Sequence, residues 1–350
     1  MERNKHVQTT LRTFVLLISI LLFGCGSPKT IRLSFDAESA TGSDSSKTIN
    51  SIRKINDFFC MTYYGSYDER LQFLHQWMMT HADTQYHSDH NADLPVNCSI
   101  FSAVGDSGRV FLGRNLDNKP TGILLAQYNP PGKYRSFAFS RMEDLKVGKH
   151  AVPERLSDDE KMRFLYFPYY PTDGINERGL AIGLAGVHCQ RISPSSEKEL
   201  MFVTLFIRNV LDNCSTVAEA AELSKKFNLF DGSLSTISHH FVVADASGNS
   251  LIIEYDQGEM KHIQTHGQSQ LITNRFVFQR SLQSRMECWR YKRLHNNLEK
   301  SGASIGKNEC LEMLQDIYNN TEWSVVYDLK ERSGLVAVNG DYRRRYEFRF

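Results

Sequence analysis

The chain reads as an α+β protein in which antiparallel sheets are layered with helices. Strand-like runs come in pairs joined by short turns: "CSIFSAV" and "RVFLGR" flank Gly105–Gly108, and "HHFVVAD" and "SLIIEYD" flank Ala246–Asn249. Helical runs fall in blocks between these hairpins and do not alternate with single strands, which argues against the βαβ order of a doubly wound sheet. With 350 residues, 41% of them hydrophobic and 11% aromatic, the chain can bury a large core.

Taken in order, the first 25 residues carry Arg3, Lys5 and Arg12 ahead of an apolar run that ends in Leu22-Phe23-Gly24-Cys25. That run is too short to span a bilayer comfortably and has the form of an export leader. It resembles a bacterial lipoprotein signal, which implies lipidation of Cys25, a membrane anchor through that residue, and a periplasmic or cell-surface location. Export would put Cys60, Cys189, Cys214, Cys288 and Cys310 in an oxidising compartment where they could pair. Their spacings match no zinc motif.

Residues 26–97 read as a polar linker and propeptide, rich in Ser and Thr up to about residue 52. Within them, 68–81 has Leu71, Phe73, Leu74, Trp77 and Met78 on or near one helical face. A polar loop with His81, His87 and His90 follows; lacking an orienting scaffold, these read as solvated histidines.

Residues 98–350 form the main domain. After the first hairpin, "FLYFPYYP" at 164–171 is either core or the wall of an acyl pocket. A helix is expected over 200–213 from Val203, Ile207, Val210 and Leu211, and another from Thr216, whose Glu219 three places on makes a capping box. Two more helices, in "MECWRYKRLHNNLEK" and "NECLEMLQDIYNN", precede the strands "WSVVYDL", "GLVAVN" and "YEFRF". The run Arg343-Arg344-Arg345 reads as the guard of an edge strand.

The chemistry gathers at the first hairpin. Forty-one basic against forty acidic side chains leave a charge of +1, so no strong field calls for nucleic acid, and a small or neutral substrate fits better. Cys98 opens its strand, and the turn returns Arg114, Asn115 and Asp117 beside it. Were the Asn97–Cys98 bond cut, the cysteine's own α-amine, of ordinary pKa ~7.7–8.0, could deprotonate its thiol. Such a nucleophile needs a carboxylate to hold the amine, a cation for the thiolate and N–H donors for an oxyanion. It needs no metal or cofactor.

Cys98-Ser99 with "GRNLD", "DGINERGLAIGLAG" at 173–186, "HHFVVADASGNSLIIEYD" at 239–256, "LITN" at 271–274, "WRYKRL" at 289–294 and "WSVVYDL" together resemble the choloylglycine hydrolases and penicillin V acylases among the N-terminal-nucleophile hydrolases. The resemblance implies an αββα four-layer sandwich of two antiparallel sheets. It also implies hydrolysis of a linear, non-peptide amide of an N-acyl substrate after cleavage before Cys98. By the same resemblance Cys98 is the nucleophile, Asp117 holds its α-amine, Arg114 lies against the thiol and Arg290 closes the site. Asn274 and a backbone N–H near Gly186 supply the oxyanion hole, and Asn176 serves a turn. Gly186 stands where the two branches of the family carry different side chains, so the acyl group stays open. A penicillin V acylase or an acyltransferase using the same site, and a non-catalytic lipoprotein that keeps the fold, are the competing readings. A homo-oligomer is compatible with all of them, and the helix at 68–81 is expected to grip the processed body.

Overall fold

The computed structural model describes residues 27–35, 44–56, 58–73, 76, 98–105, 108–118, 120–231, 233–302 and 305–350. Two large sheets are stacked. One has seven strands in the order β1 (Lys29–Arg32), β18 (Asp341–Arg349), β17 (Ser333–Val338), β16 (Thr321–Asp328), β5 (Val110–Asp117), β4 (Ser99–Val104) and β15 (Gln270–Ile272). The other has nine, in the order β14 (Glu259–His266), β13 (Asn249–Asp256), β12 (Thr236–Ala244), β9 (Ala181–Arg191), β8 (Asp173–Asn176), β7 (Ser136–Arg141), β6 (Ile123–Asn129), β3 (Phe58–Tyr64) and β2 (Arg53–Ile55).

Period-two alternation sorts each strand's side chains between layers. Ile100, Leu112, Leu125, Phe139, Val242, Trp323 and Val325 meet between the sheets. Phe101, Phe111 and Val326 turn the other way, toward α7 (Trp289–Ser301) and α8 (Lys307–Gln315). On the far side of the nine-stranded sheet, Phe241, Val243 and Ile182 pack against α4 (Val203–Asn213) and α5 (Val217–Ser224). Helix, sheet, sheet, helix is the expected four-layer sandwich.

Both predicted hairpins form, as β4–β5 and β12–β13. Thr216 and Glu219 make the reciprocal capping box at α5. "FLYFPYYP" is core: Phe164, Leu165, Phe167 and Tyr169 are fully buried on the outer side of the nine-stranded sheet. The helix expected from residue 200 starts later, because Glu199–Phe202 is instead strand β10, paired in parallel with β11 (Phe227–Phe230). Arg343–Arg345 guard no edge, since β1 pairs with Arg344 and Arg345 and covers β18. The cysteines of the described residues are free thiols, with Cys60, Cys98, Cys214 and Cys310 buried.

The polar-linker expectation is corrected for the described residues between 27 and 64. Ile31, Leu33 and Phe35 alternate within the Ser/Thr-rich stretch and pack on the inter-sheet core. "FFCMTYY" is β3, buried along its whole length between β2 and β6. The short helix α1 (Ser45–Asn50) is capped by Asp44 and lies against β3; Ser51, just after it, bonds Thr62 on that strand. Residues 68–73 and 76 are helical as expected, and the rest of 68–81 lies outside the described residues. So do the leader with Cys25, the loop with His81, His87 and His90, and Asn97.

Candidate active site

The β4–β5 ladder pairs Ser99 with Asn115 and Ile100 with Arg114, so Asp117, two residues past Asn115, ends β5 beside the start of β4. Alternation then divides the work. Cys98 and Arg114 face the space between the sheets, where Arg114 comes within hydrogen-bonding reach of the thiol. Its guanidinium, fully buried, also bonds Asp173, the Thr172 hydroxyl at 3.2 Å and the Leu184 carbonyl at 3.0 Å. Asp117 faces the helical layer, where Thr321 donates to its Oδ1 at 2.5 Å. Its Oδ2 is buried without a hydrogen-bond partner; the nearest cation is Arg290, 3.6 Å away.

Arg290, in the first turn of α7, ties the remaining residues together. One guanidinium nitrogen donates to the Cys98 carbonyl at 2.8 Å and to the Ser99 hydroxyl at 3.1 Å, and the other donates to Asn274 Oδ1 at 2.8 Å. That bond fixes the amide's orientation, so Asn274 Nδ2 is the donor that reaches the Gly186 carbonyl at 2.7 Å. Cys98 just before β4, Arg114 and Asp117 on β5, Gly186 on β9, Asn274 in the loop after β15 and Arg290 on α7 therefore meet at one place. Asn274, half-buried, is the side chain among them most open to a ligand.

The sequence profile of the linear amide C–N hydrolases of the choloylglycine hydrolase family matches residues 98–304, more than half of the chain. The chain belongs to this family. A penicillin V acylase from Pectobacterium atrosepticum is 35% identical over 121 residues, which is 32% of this chain and 32% of that relative. The fold is similar to that of penicillin V acylase from Agrobacterium tumefaciens, with a TM-score of 0.52 and 19% identity over 69% of this chain and 83% of that one. A variant of conjugated bile acid hydrolase from Clostridium perfringens gives 0.51 and 16%, over 69% and 89%. These neighbours have the N-terminal-nucleophile hydrolase fold.

The electrostatics of the cluster around Cys98 are polarised. Burial pushes the Asp117 carboxyl up to about 7, against the lowering effects of the Thr321 hydroxyl, Arg290 and Arg114. An unfilled, desolvated carboxylate oxygen of this kind suits an ammonium group. Burial likewise lowers Arg114, offset by Cys98 and Tyr327.

Asp173 has no assigned role in the sequence reading, although it opens the "DGINERGL" motif. It accepts from Arg114, from the Tyr327 hydroxyl and, at 3.2 Å, from Trp323 Nε1, and so neutralises the arginine beside the thiol. The aromatic pair in "WSVVYDL" was its only sequence signal. Cys288 was also missed as a neighbour of the site. It stands at the N-terminal cap position of α7, and although burial raises its thiol, the Tyr291 amide, the Thr273 hydroxyl and the charge and amide of Arg290 bring it below the ordinary value. Asn176 braces the turn, accepting from the amides of Arg178 and Leu180 and donating to two carbonyls of the α4 end. Among the described residues no group of three or more His, Cys, Asp or Glu is disposed to hold a metal ion, and no helix is long and apolar enough to cross a membrane.

Proposed function

We propose that this protein is a cysteine amidase that hydrolyses the linear C–N bond of an N-acyl amide once the bond before Cys98 has been cut. The observation that carries the reading is the buried Oδ2 of Asp117, at the end of the strand paired with β4, which accepts no hydrogen bond and has an ion pair to Arg290 at 3.6 Å. A new α-ammonium at Cys98 would satisfy it, whereas an intact peptide N–H brings no charge.

In the proposed cycle the α-amine takes the thiol proton and the thiolate, beside Arg114, attacks the substrate carbonyl. Asn274 and a backbone N–H near Gly186 hold the oxyanion, and the ammonium returns a proton to the departing nitrogen. Water then attacks the thioester, giving the acid and restoring the thiol. Maturation uses the same sulfur: attack on the residue 97 carbonyl forms a thioester that water opens. Penicillin V acylase-like specificity is the second reading, favoured by the 35% identical relative. Hydrolysis rates for phenoxyacetyl amides, conjugated bile salts and long-chain N-acyl amides would separate the acyl classes. Equal inertness of all three toward processed protein would sink the amidase reading.

The early segment is proposed to stay bound after cleavage, held by β3 more than by the helix from residue 68. Phe58, Phe59, Met61, Tyr63 and Tyr64 are buried, and at roughly 2 kcal/mol each they contribute on the order of 10 kcal/mol before ordering entropy is counted. A lipid on Cys25 would then anchor the catalytic body without a covalent tie. Release of processed protein from membranes by salt alone would contradict this.

A further inference from the structure

Two buried ionisable side chains in the motif "HHFVVADASGNSLIIEYD" take no part in the chemistry proposed above. His240 on β12 is fully buried and Glu254 on β13 nearly so. They lie side by side, with His240 Nδ1 3.3 Å from Glu254 Oε2. What they hold is the loop after β15, which carries Asn274. His240 Nε2 donates to the Thr273 carbonyl at 2.7 Å; a carbonyl can only accept, so the hydrogen belongs to that nitrogen. At the loop's other end Glu254 accepts from the amides of Val277, at 3.1 Å, and Phe278. The backbone on both sides of Asn274 is therefore tied to one pair on the nine-stranded sheet. The same strand aligns the other half of the cradle, since His240 pairs with Ala185 and His239 with Gly186.

We propose that His240 and Glu254 are positioning residues that fix the Asn274 loop against Gly186, so that the amide donor and the strand share one rigid frame around the oxyanion. Burying polar side chains costs desolvation, and the hydrogen bonds that offset it here all run to the loop that the pair holds or within the pair itself. The proposal rests on the amidase reading and adds to it the residues that set donor geometry, where small displacements weigh heavily.

The test is a double-mutant cycle on processed protein, using whichever N-acyl amide the parent hydrolyses. His240→Leu should lower kcat roughly 10- to 100-fold with KM little changed, a smaller loss than removing an oxyanion donor outright. His240→Gln, which can still donate to Thr273, should recover part of it. In an Asn274→Ala background, His240→Gln should change kcat by less than about twofold, because the group it positions is gone. Iodoacetamide labelling of Cys98, followed by peptide mass mapping to separate it from Cys288, should keep the parent rate. Additive losses in the cycle, or labelling that falls in step with kcat, would overturn the proposal. If His240→Leu does not fold, Glu254→Gln and His240→Gln give the same comparison. A parent that is processed but hydrolyses no amide would instead count against the amidase reading itself.

Discussion

The chain before Cys98 and the chain after it enter the same two sheets by different pairings. Within either part, each pairing in the large sheets is antiparallel, including β2–β3, β4–β5 and β16–β17. Where the parts meet, both pairings are parallel: β1 on β18 and β3 on β6. Parallel neighbours cannot be joined by a tight turn, so the early strands were added to a sheet they do not continue. A join of that kind does not depend on the connecting chain. Cutting the connection at residue 97 would therefore spare the ladders, and it would free a terminus at the start of β4.

The largest expected effect separates the two parts chemically. Cys98→Ala should abolish both cleavage and turnover while leaving the fold, seen as a single full-length band with unchanged circular dichroism. Cleavage in that variant would remove the thiol from the maturation step.

Next comes the physical join. Phe59 is nearly fully buried against the outer core and Phe164. Truncation to alanine should cost about 3–5 kcal/mol in chemical denaturation and loosen the hold on the early segment. A cost below about 1 kcal/mol would mean that β3 adds little to the body.

A smaller effect reports on the junction itself. Burial raises Asp117 from 3.8 to about 7 in the uncleaved chain. Between those values the folded precursor keeps a proton that the unfolded chain has lost, so the Asp117 contribution to stability is full below about pH 4 and is lost as pH rises to about 7. In the Cys98→Ala precursor this should appear as a urea midpoint lower at pH 7 than at pH 5. Asp117→Asn should remove about one proton's worth of that slope. Glu322, raised by burial to about 7 as well, and Asp144, also raised by burial, contribute with the same sign. In processed enzyme an ammonium beside Asp117 should suppress its share, and an unchanged slope after cleavage would argue that no amine sits there.

The smallest effect lies at the outer edge. Arg32 and Glu347 approach at 3.9 Å with the arginine largely exposed, so Arg32→Ala should shift stability by less than about 0.5 kcal/mol. A larger loss would show β1 to be a principal attachment.

Much of the site was legible because the hairpin does the arithmetic. Once β4 and β5 pair across Gly105–Gly108, the positions of Arg114 and Asp117 relative to Cys98 follow from period two, and the geometry of both agrees with that reading. Asp173 was not legible, since its partners Arg114, Trp323 and Tyr327 come from strands far apart in sequence and a single aspartate in a turn motif announces no partner. His240 and Glu254 were hidden in the same way inside a hairpin read only for its strand pattern. The linker reading missed β1 and β3 because it weighed the polar composition of residues 26 to about 52 over the apolar pattern inside and after that stretch. Serines and threonines are frequent up to about residue 52, yet Ile31, Leu33 and Phe35 alternate and residues 58–64 form a largely apolar run that is buried along its whole length. At β10 the residues Leu200–Phe202 continue the apolar spacing of α4, and parallel pairing with β11 overrode it.

Mass spectrometry of active, purified protein under native and then denaturing conditions tests the central claim most directly. The account predicts one native species that denaturation splits into two chains, the larger beginning at Cys98 and the smaller containing β1 to β3. Full activity in a single unbroken polypeptide would contradict it.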